Sequence, residues 1–224
     1  MFIYSFIANV SMSMDISAAD ITMAELFKVL VSNGPSTVYS ISKQEDIPQP
    51  TVHRTFKKLL EQGGIQVYKE DKADGRKKIF YGPTSNGIFG IYCLLDMAGK
   101  ENMDLDLVFD TWIKQDKFFD ELGALFDPND LRNAPAKSKR IFKKFVKLHA
   151  REFKEFEKFI DEYGDIPFPY KIQIGAGLLR DKNAEKFERD SIELYRELPG
   201  IRKQMEYDDE IRRKVIEKLE GKPT

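Results

Sequence analysis

Residues 36–81 constrain the fold of this chain more than any other segment, because three local signals follow one another without a gap. A short helical pattern breaks at residues 44–47, and two prolines then open a second helix, predicted over residues 52–62. Two glycines end that helix. The apolar runs 65–68 and 78–81 come next and flank a polar turn, which is the pattern of a β-hairpin. The segment is therefore predicted to form a helix-turn-helix followed by a hairpin wing.

The hydrophobic spacing divides the second helix into two faces. Val52, Phe56 and Leu59 recur at i, i+4 and i+7, so we expect them to face the core. The other face carries side chains suited to the major groove, where arginine pairs with guanine, glutamine with adenine and lysine with phosphate. The predicted DNA-contacting residues of this helix are Gln49, Thr51, His53, Arg54, Lys57 and Lys58. In the wing, the residues predicted to hold the DNA backbone are Arg76, Lys77 and Lys78.

The charge of the chain is segregated along the sequence, although the formal net charge is only -1. Residues 54–78 contain eight basic and four acidic side chains, a net charge of +4, whereas residues 96–130 contain ten acidic and three basic ones, a net charge of -7. Screening confines the effect of an exposed charge to roughly 8–10 Å at physiological salt. A near-zero total therefore does not exclude DNA binding by the basic segment.

Helices are predicted for most of the remaining chain. A first helix is expected over residues 19–32, and a fourth over 84–99. The later predicted helices span 105–126, 138–163, 183–198 and 201–220, with a short strand at 170–174. The predicted fold class is mainly α: a winged helix-turn-helix module with a small β-hairpin wing plus a helical C-terminal region. The predicted divisions are a flexible N-terminal extension (1–18), a winged helix-turn-helix DNA-binding domain (19–99) and a helical dimerisation or regulatory region (100–224).

A second basic run lies at residues 137–147, which contain six lysines and arginines and no acidic residue. Two roles are open for it. The run extends the surface that contacts DNA, or it pairs with the acidic segment around residues 104–130, within the subunit or across a dimer. A charge run is more often a solvated face than a binding site, which favours the second role. The phenylalanines at helical spacing beside the run are expected to form core or dimer packing.

The residues that usually carry catalysis or bind metals are scarce and scattered. The chain has two histidines, His53 and His149, and one cysteine, without the spacing of a metal site or of a nucleophile with its base. Cys93 lies in an apolar run and is predicted to be a buried thiol, and a single cysteine suits a reducing compartment. We therefore expect no enzyme activity, no catalytic or metal site, no cofactor, no membrane segment and a cytoplasmic location.

Segments 34–44 and 47–65, with the stretch 81–87 after the wing, resemble the winged helix-turn-helix transcription regulators of the MarR and PadR types. The resemblance covers residues 20–98. It implies a regulator that binds double-stranded DNA as a homodimer, with helices outside the winged module joining the subunits. Apolar stripes on the C-terminal helices suit that role. The part after residue 104 resembles no effector domain, so a small-molecule effector is left open and its identity unknown.

Two residues depart from the pattern of these regulators. Gly64 stands where they usually have a leucine that plugs the joint between helix and wing, so a looser joint is expected. Asp46 replaces the usual turn glycine, but an Asx side chain tolerates the left-handed conformation. The expected function is a DNA-binding transcription regulator. The alternative is a winged-helix subunit that binds protein within a larger assembly and has no DNA binding of its own.

Overall fold

The computed structural model of the chain describes residues 16–73, 76–162 and 192–219. Helices α1 (Ala18–Asn33), α2 (Val38–Gln44) and α3 (Gln49–Glu61) are followed by strands β1 (Ile65–Ala73) and β2 (Arg76–Pro83). Five helices come next: α4 (Ser85–Met97), α5 (Leu105–Trp112), α6 (Asp116–Gly123), α7 (Pro128–Asn133) and α8 (Pro135–Glu162). Residues 192–196 are helical, and α9 (Pro199–Leu219) follows them. The predicted fold class, mainly α with a hairpin wing, is confirmed.

Local side-chain chemistry explains where the first helices begin and turn. A capping box between Ser17 and Asp20 opens α1, and a second one between Thr37 and Ser40 opens α2, so the N-cap and N3 backbone N–H groups of both helices are satisfied. Asp46, in the turn between α2 and α3, has a φ of 52°, as its Asx side chain predicts. The helix-turn-helix is therefore built from signals within a few residues of each turn.

The wing is a two-stranded antiparallel hairpin. Lys78 lies opposite Asp71, and the pairing shifts by one residue between Val67 and Lys69, which marks a bulge near the base. The hairpin is joined to the segment before α2 by two backbone hydrogen bonds between Ser36 and Tyr81, of 3.0 and 2.8 Å. This bridge attaches the base of the wing directly to the helix-turn-helix.

One hydrophobic core cluster runs from Met23 in α1 to Leu198 before α9. Across the predicted boundary at residue 99, Phe89 of α4 packs edge-to-face on Phe145 of α8, with ring centroids 5.0 Å apart. The winged part and the helices after it therefore share their apolar core. The division at 99 stays a prediction. Most of the predicted extension at 1–18 lies outside the described residues, as do the strand predicted at 170–174 and most of the helix predicted at 183–198.

The prediction of a single helix over residues 105–126 is wrong. Two helices, α5 and α6, occupy the segment, and the backbone turns between Trp112 and Asp116. The apolar spacing gives the physical reason. Trp112 and Phe118 are both fully buried. In one continuous helix, these two side chains would point in directions about 120° apart around the helix axis, because they are six residues apart. The break allows both rings to enter the same core.

Candidate nucleic-acid interface

Helix α3 has the two faces that its spacing predicts. Val52, Phe56 and Leu59 are buried, with at most 1 % of each residue exposed. Five of the six predicted contact residues on this helix are exposed, and Thr51 is half-buried; the exposed ones are Gln49, His53, Arg54, Lys57 and Lys58. The structure therefore brings the predicted donors and cations of α3 together on one solvent-facing helix surface.

Ion pairs divide the cations of α3 into bound and unbound ones. Lys58 lies 3.0 Å from the Asp20 carboxylate at the start of α1. Lys57 is within 3.8 Å of Glu61, one turn away, and both side chains are largely exposed, so this pair contributes little to stability. Arg54 has no ion pair with any residue that the structure describes. Among these three cations, the guanidinium of Arg54 is therefore the one without a carboxylate partner in the described residues.

The pair between Lys58 and Asp20 also secures the first turn of α1. Partial burial acts to raise the pKa of Asp20, but hydrogen bonds from Ser17 and Lys58 outweigh it and leave that pKa below its usual value. The same carboxylate caps α1, so Lys58 connects the exposed face of α3 to the capping box of another helix. Structural use of Lys58 competes with any use in binding DNA.

The wing cations point to two different faces of the hairpin, because successive strand residues alternate. Lys77 lies 2.9 Å from Glu70 in an exposed pair. Lys78 lies opposite Asp71 on the other face and has no ion pair among the described side chains. For Arg76 the structure describes the backbone, which pairs with Ala73 next to the turn. Lys77 and Lys78, which were predicted to belong to one contact surface, thus lie on two different faces.

Sequence reasoning did not include Lys72 among the contact residues. It is exposed and lies directly opposite Lys77 in the hairpin register. The two lysines lie on one face near the tip of the wing, and Glu70 offsets the charge of Lys77 on that face. The signal was available in the sequence, since pairing residues outward from the turn gives the same register.

The base of the wing is held by the helices that follow it. The Trp112 indole of α5 stacks edge-to-face on Tyr68 of β1, with centroids 5.0 Å apart, and donates a 2.6 Å hydrogen bond to the Val31 carbonyl of α1. In α6, the Glu121 carboxylate accepts hydrogen bonds from Gln66 of β1 and from the backbone N–H of Ser85. Burial and this carboxylate together raise the pKa of Tyr68 well above its usual value. The wing is therefore fixed to α1, α5 and α6.

The joint between α3 and the wing is close-packed, so the looser joint expected from Gly64 is wrong. The Gly64 carbonyl accepts the Thr84 backbone N–H at 3.0 Å, and the Thr84 hydroxyl donates to the Gly63 carbonyl at 2.7 Å. A Cβ atom on Gly87 would lie 1.9 Å from the Gly64 oxygen. A close approach of two backbones closes this joint without a leucine side chain.

The basic run at 137–147 pairs with acidic residues of the same chain. Its pairs, by nitrogen–oxygen distance, are Lys137–Asp130 (2.8 Å), Lys139–Asp110 (2.7 Å), Arg140–Glu197 (3.3 Å) and Lys144–Glu193 (4.0 Å), together with Lys143–Asp106. The hydrogen bond to Asp110 raises the pKa of Lys139, and that from Lys143 lowers the pKa of Asp106. Of the two roles open for this run, the structure supports pairing within the subunit.

The described residues form neither a metal-binding cluster nor a membrane-spanning helix. Within residues 16–73, 76–162 and 192–219, no three His, Cys, Asp or Glu side chains come together as a metal site would require. None of the helices in those ranges has the length and apolar character needed to cross a membrane. Cys93 is buried, as predicted. The exposed cationic face of α3 and the wing beside it are the candidate site.

Comparison with known proteins agrees with this geometry. Residues 14–85 match the family described as the sugar-specific transcriptional regulator TrmB. No curated protein matches the chain. The matched residues include α1, α2, α3 and both strands of the wing. The prediction of a winged helix-turn-helix of the transcription-regulator kind is confirmed over this segment.

Proposed function

We propose that this chain regulates transcription by binding double-stranded DNA as a homodimer, with α3 in the major groove and the wing on the DNA backbone. The observation that carries the proposal is the outer face of α3, where Arg54 is exposed and unpaired among the described residues beside the exposed Lys57. An arginine with a free guanidinium can pair bidentately with a guanine edge. The match of residues 14–85 to a family of transcriptional regulators supports the same function.

The ion pairs rank the nine proposed contact residues. Arg54 and Lys78 have no ion pair among the described residues, and the ion pair of Lys57 is weak and exposed. These three residues therefore lose the least ion-pair energy when they bind DNA. Lys58 and Lys77 must exchange a carboxylate for a phosphate. The polar residues Gln49, Thr51 and His53 add hydrogen bonds to base edges or phosphates, and Arg76 lies beside the turn.

The test is fluorescence anisotropy of a labelled mixed-sequence duplex across a salt series, with wild type and an Arg54→Gln/Lys57→Gln variant. We expect the variant to lose roughly tenfold or more in affinity, and each lost phosphate contact to flatten the slope of log affinity against log salt by about 0.9. Neither side chain is buried, so folding of the variant, checked by circular dichroism, is expected to be unchanged.

The matched control removes the same charge elsewhere. Lys139→Gln/Lys143→Gln also neutralises two cations, but these already pair with Asp110 and Asp106 in the same chain. We expect this variant to bind DNA with the wild-type salt slope. Equal losses in both variants would mean that net charge alone drives binding, and no loss in the first would contradict the role of α3.

The second candidate function is a protein-docking subunit, for which the close packing of the wing onto α5 and α6 is the supporting observation. Rigid attachment suits a docking surface as well as a DNA-binding wing. This candidate predicts no binding to duplex DNA even at low salt. A small-molecule effector for the helices after residue 99 stays a prediction.

A further inference from the structure

Helix α9 leaves the core after its first turn. The Gly200 N–H donates to the Leu125 carbonyl at 3.1 Å, and Leu198 is buried, so the start of the helix is firmly held. Beyond Ile201, which packs against the core, every side chain described from 202 to 214 is exposed. The helix has 21 residues and is about 30 Å long, and its described side chains beyond Ile201 are not packed on the core.

The exposed part of α9 carries large apolar side chains on one face. Tyr207 is 58 % exposed and Ile211 is 41 % exposed, and four residues apart they lie on the same side of the helix. The sequence continues this spacing with Val215. A helix gains little stability from propensity alone and depends on packing of its apolar face, so this face requires a partner.

The charges of α9 identify the partner. Residues 206–210 contain four carboxylates and no basic side chain, whereas residues 212–218 contain four basic side chains and one carboxylate. Two copies of the helix running antiparallel and crossing at Ile211 bring the acidic block of each against the basic block of the other. The same arrangement sets Tyr207 opposite Val215. A parallel pair would instead bring acid against acid and base against base, which is repulsive.

The ion pairs within α9 are compatible with this arrangement. Glu210 lies 2.6 Å from Lys214, and Glu206 lies 3.9 Å from Arg202, each one turn away. A carboxylate has four lone-pair sites and can accept from a second cation without losing the first. These exposed pairs therefore orient the charged side chains along the flanks of the apolar face.

We propose that α9 binds α9 of a second copy of this chain, antiparallel and with Ile211 at the crossing point. The proposal deepens the homodimer proposed above and rests on it, because it names the surface through which the two copies join. A two-fold axis at Ile211 relates the two winged modules, as binding to a pseudo-palindromic DNA site requires.

The test uses charge reversal in the full chain, read by sedimentation equilibrium. Asp209→Lys/Glu210→Lys changes the net charge of block 206–210 from -4 to 0 and sets two lysines opposite positions 213 and 212 of the other copy, which are arginines. Arg212→Glu/Arg213→Glu changes the net charge of block 212–218 from +3 to -1 and sets two glutamates opposite positions 210 and 209, which are acidic. We expect wild type to have the mass of two chains at micromolar concentration and each variant to dissociate about tenfold or more readily, because like charges then face each other. Mixing the two variants is expected to restore a dimer containing one copy of each.

A matched control makes the same two-residue charge change on another exposed helix surface. Asp116→Lys/Asp120→Lys on α6 is expected to leave the dimer unchanged. A monomeric wild type, unchanged dissociation of both α9 variants, or failure of the mixture to pair would each overturn the proposal. Tighter dimers in the α9 variants would also overturn it, since that result indicates a parallel pair.

Anisotropy with the duplex, run on the same samples, separates this proposal from the proposed function. Loss of the dimer with DNA binding retained at weaker affinity supports both. Wild-type DNA binding with dimers that the α9 reversals do not disturb overturns the α9 pairing alone. Dimers broken by reversal in a protein that binds no DNA support the α9 pairing and contradict the regulator function.

Discussion

Trp112→Ala is expected to destabilise the protein by about 3–5 kcal/mol, the range measured for truncation of a fully buried aromatic residue. The indole is fully buried, stacks on Tyr68 of the wing and donates to the Val31 carbonyl. Removing it leaves a cavity among α1, α5 and the wing, and a carbonyl without its donor. Urea unfolding followed by circular dichroism at the helix band measures the loss, because the variant has no tryptophan left for fluorescence.

Two further variants separate the contributions of Trp112. Trp112→Phe keeps an aromatic ring but loses the indole N–H. We expect this variant to lose about 1–3 kcal/mol of folding stability, because the Val31 carbonyl is left unsatisfied and a small cavity forms. Leu107→Ala, on the exposed side of the same helix, is expected to cost less than about 1 kcal/mol. A Trp112→Ala loss no larger than that of Leu107→Ala would show that the ring does not hold the wing.

Gly87→Ala is expected to destabilise the protein by about 3 kcal/mol, at the upper end of overpacking effects, because the added Cβ meets backbone rather than a movable side chain. It would lie 1.9 Å from the Gly64 carbonyl oxygen and 2.7 Å from the carbonyl carbon. Relief requires α4 to move away from the turn after α3, which breaks the Thr84 hydrogen bonds of the joint. Thermal and urea unfolding both measure this effect.

Gly123→Ala is the matched control for Gly87→Ala. Both glycines are helical, and a Cβ at Gly123 has ordinary contact with Pro128 at 3.7 Å. Because alanine favours a helix over glycine by up to about 1 kcal/mol, the control is expected to be neutral or slightly stabilised. A Gly87→Ala protein as stable as this control would contradict the close approach of the two backbones.

Features that depend on neighbours in the chain were predictable from the residues. The spacing of Val52, Phe56 and Leu59 predicted which face of α3 is buried. The opposite face, which carries Arg54, was therefore predicted to be exposed. The turn at Asp46 followed from its side-chain chemistry. Each of these features is decided within about two helical turns, where backbone geometry and hydrophobic period act without help from distant residues.

The helix boundary after Trp112 was not predictable in this way. Apolar residues continue on both sides of it, so a continuous helix satisfies the local pattern. Its position depends on contacts of Trp112 with Val31 and Tyr68, which are distant in sequence. Tertiary packing of the buried Trp112 ring outweighed helix propensity at this point.

The availability of each cation was also decided by the tertiary structure. Arg54 and Lys58 are both cations predicted to contact DNA, but of the two only Lys58 forms an ion pair among the described residues, with Asp20 of another helix. The basic run at 137–147 is as rich in charge as the wing, yet its cations face acidic residues of the same chain. Amino-acid order decides which side chains carry charge and which helix face they occupy. Which charges stay free to bind a partner depends on the neighbours that folding brings within ion-pair distance, because electrostatic attraction acts through space and not along the chain.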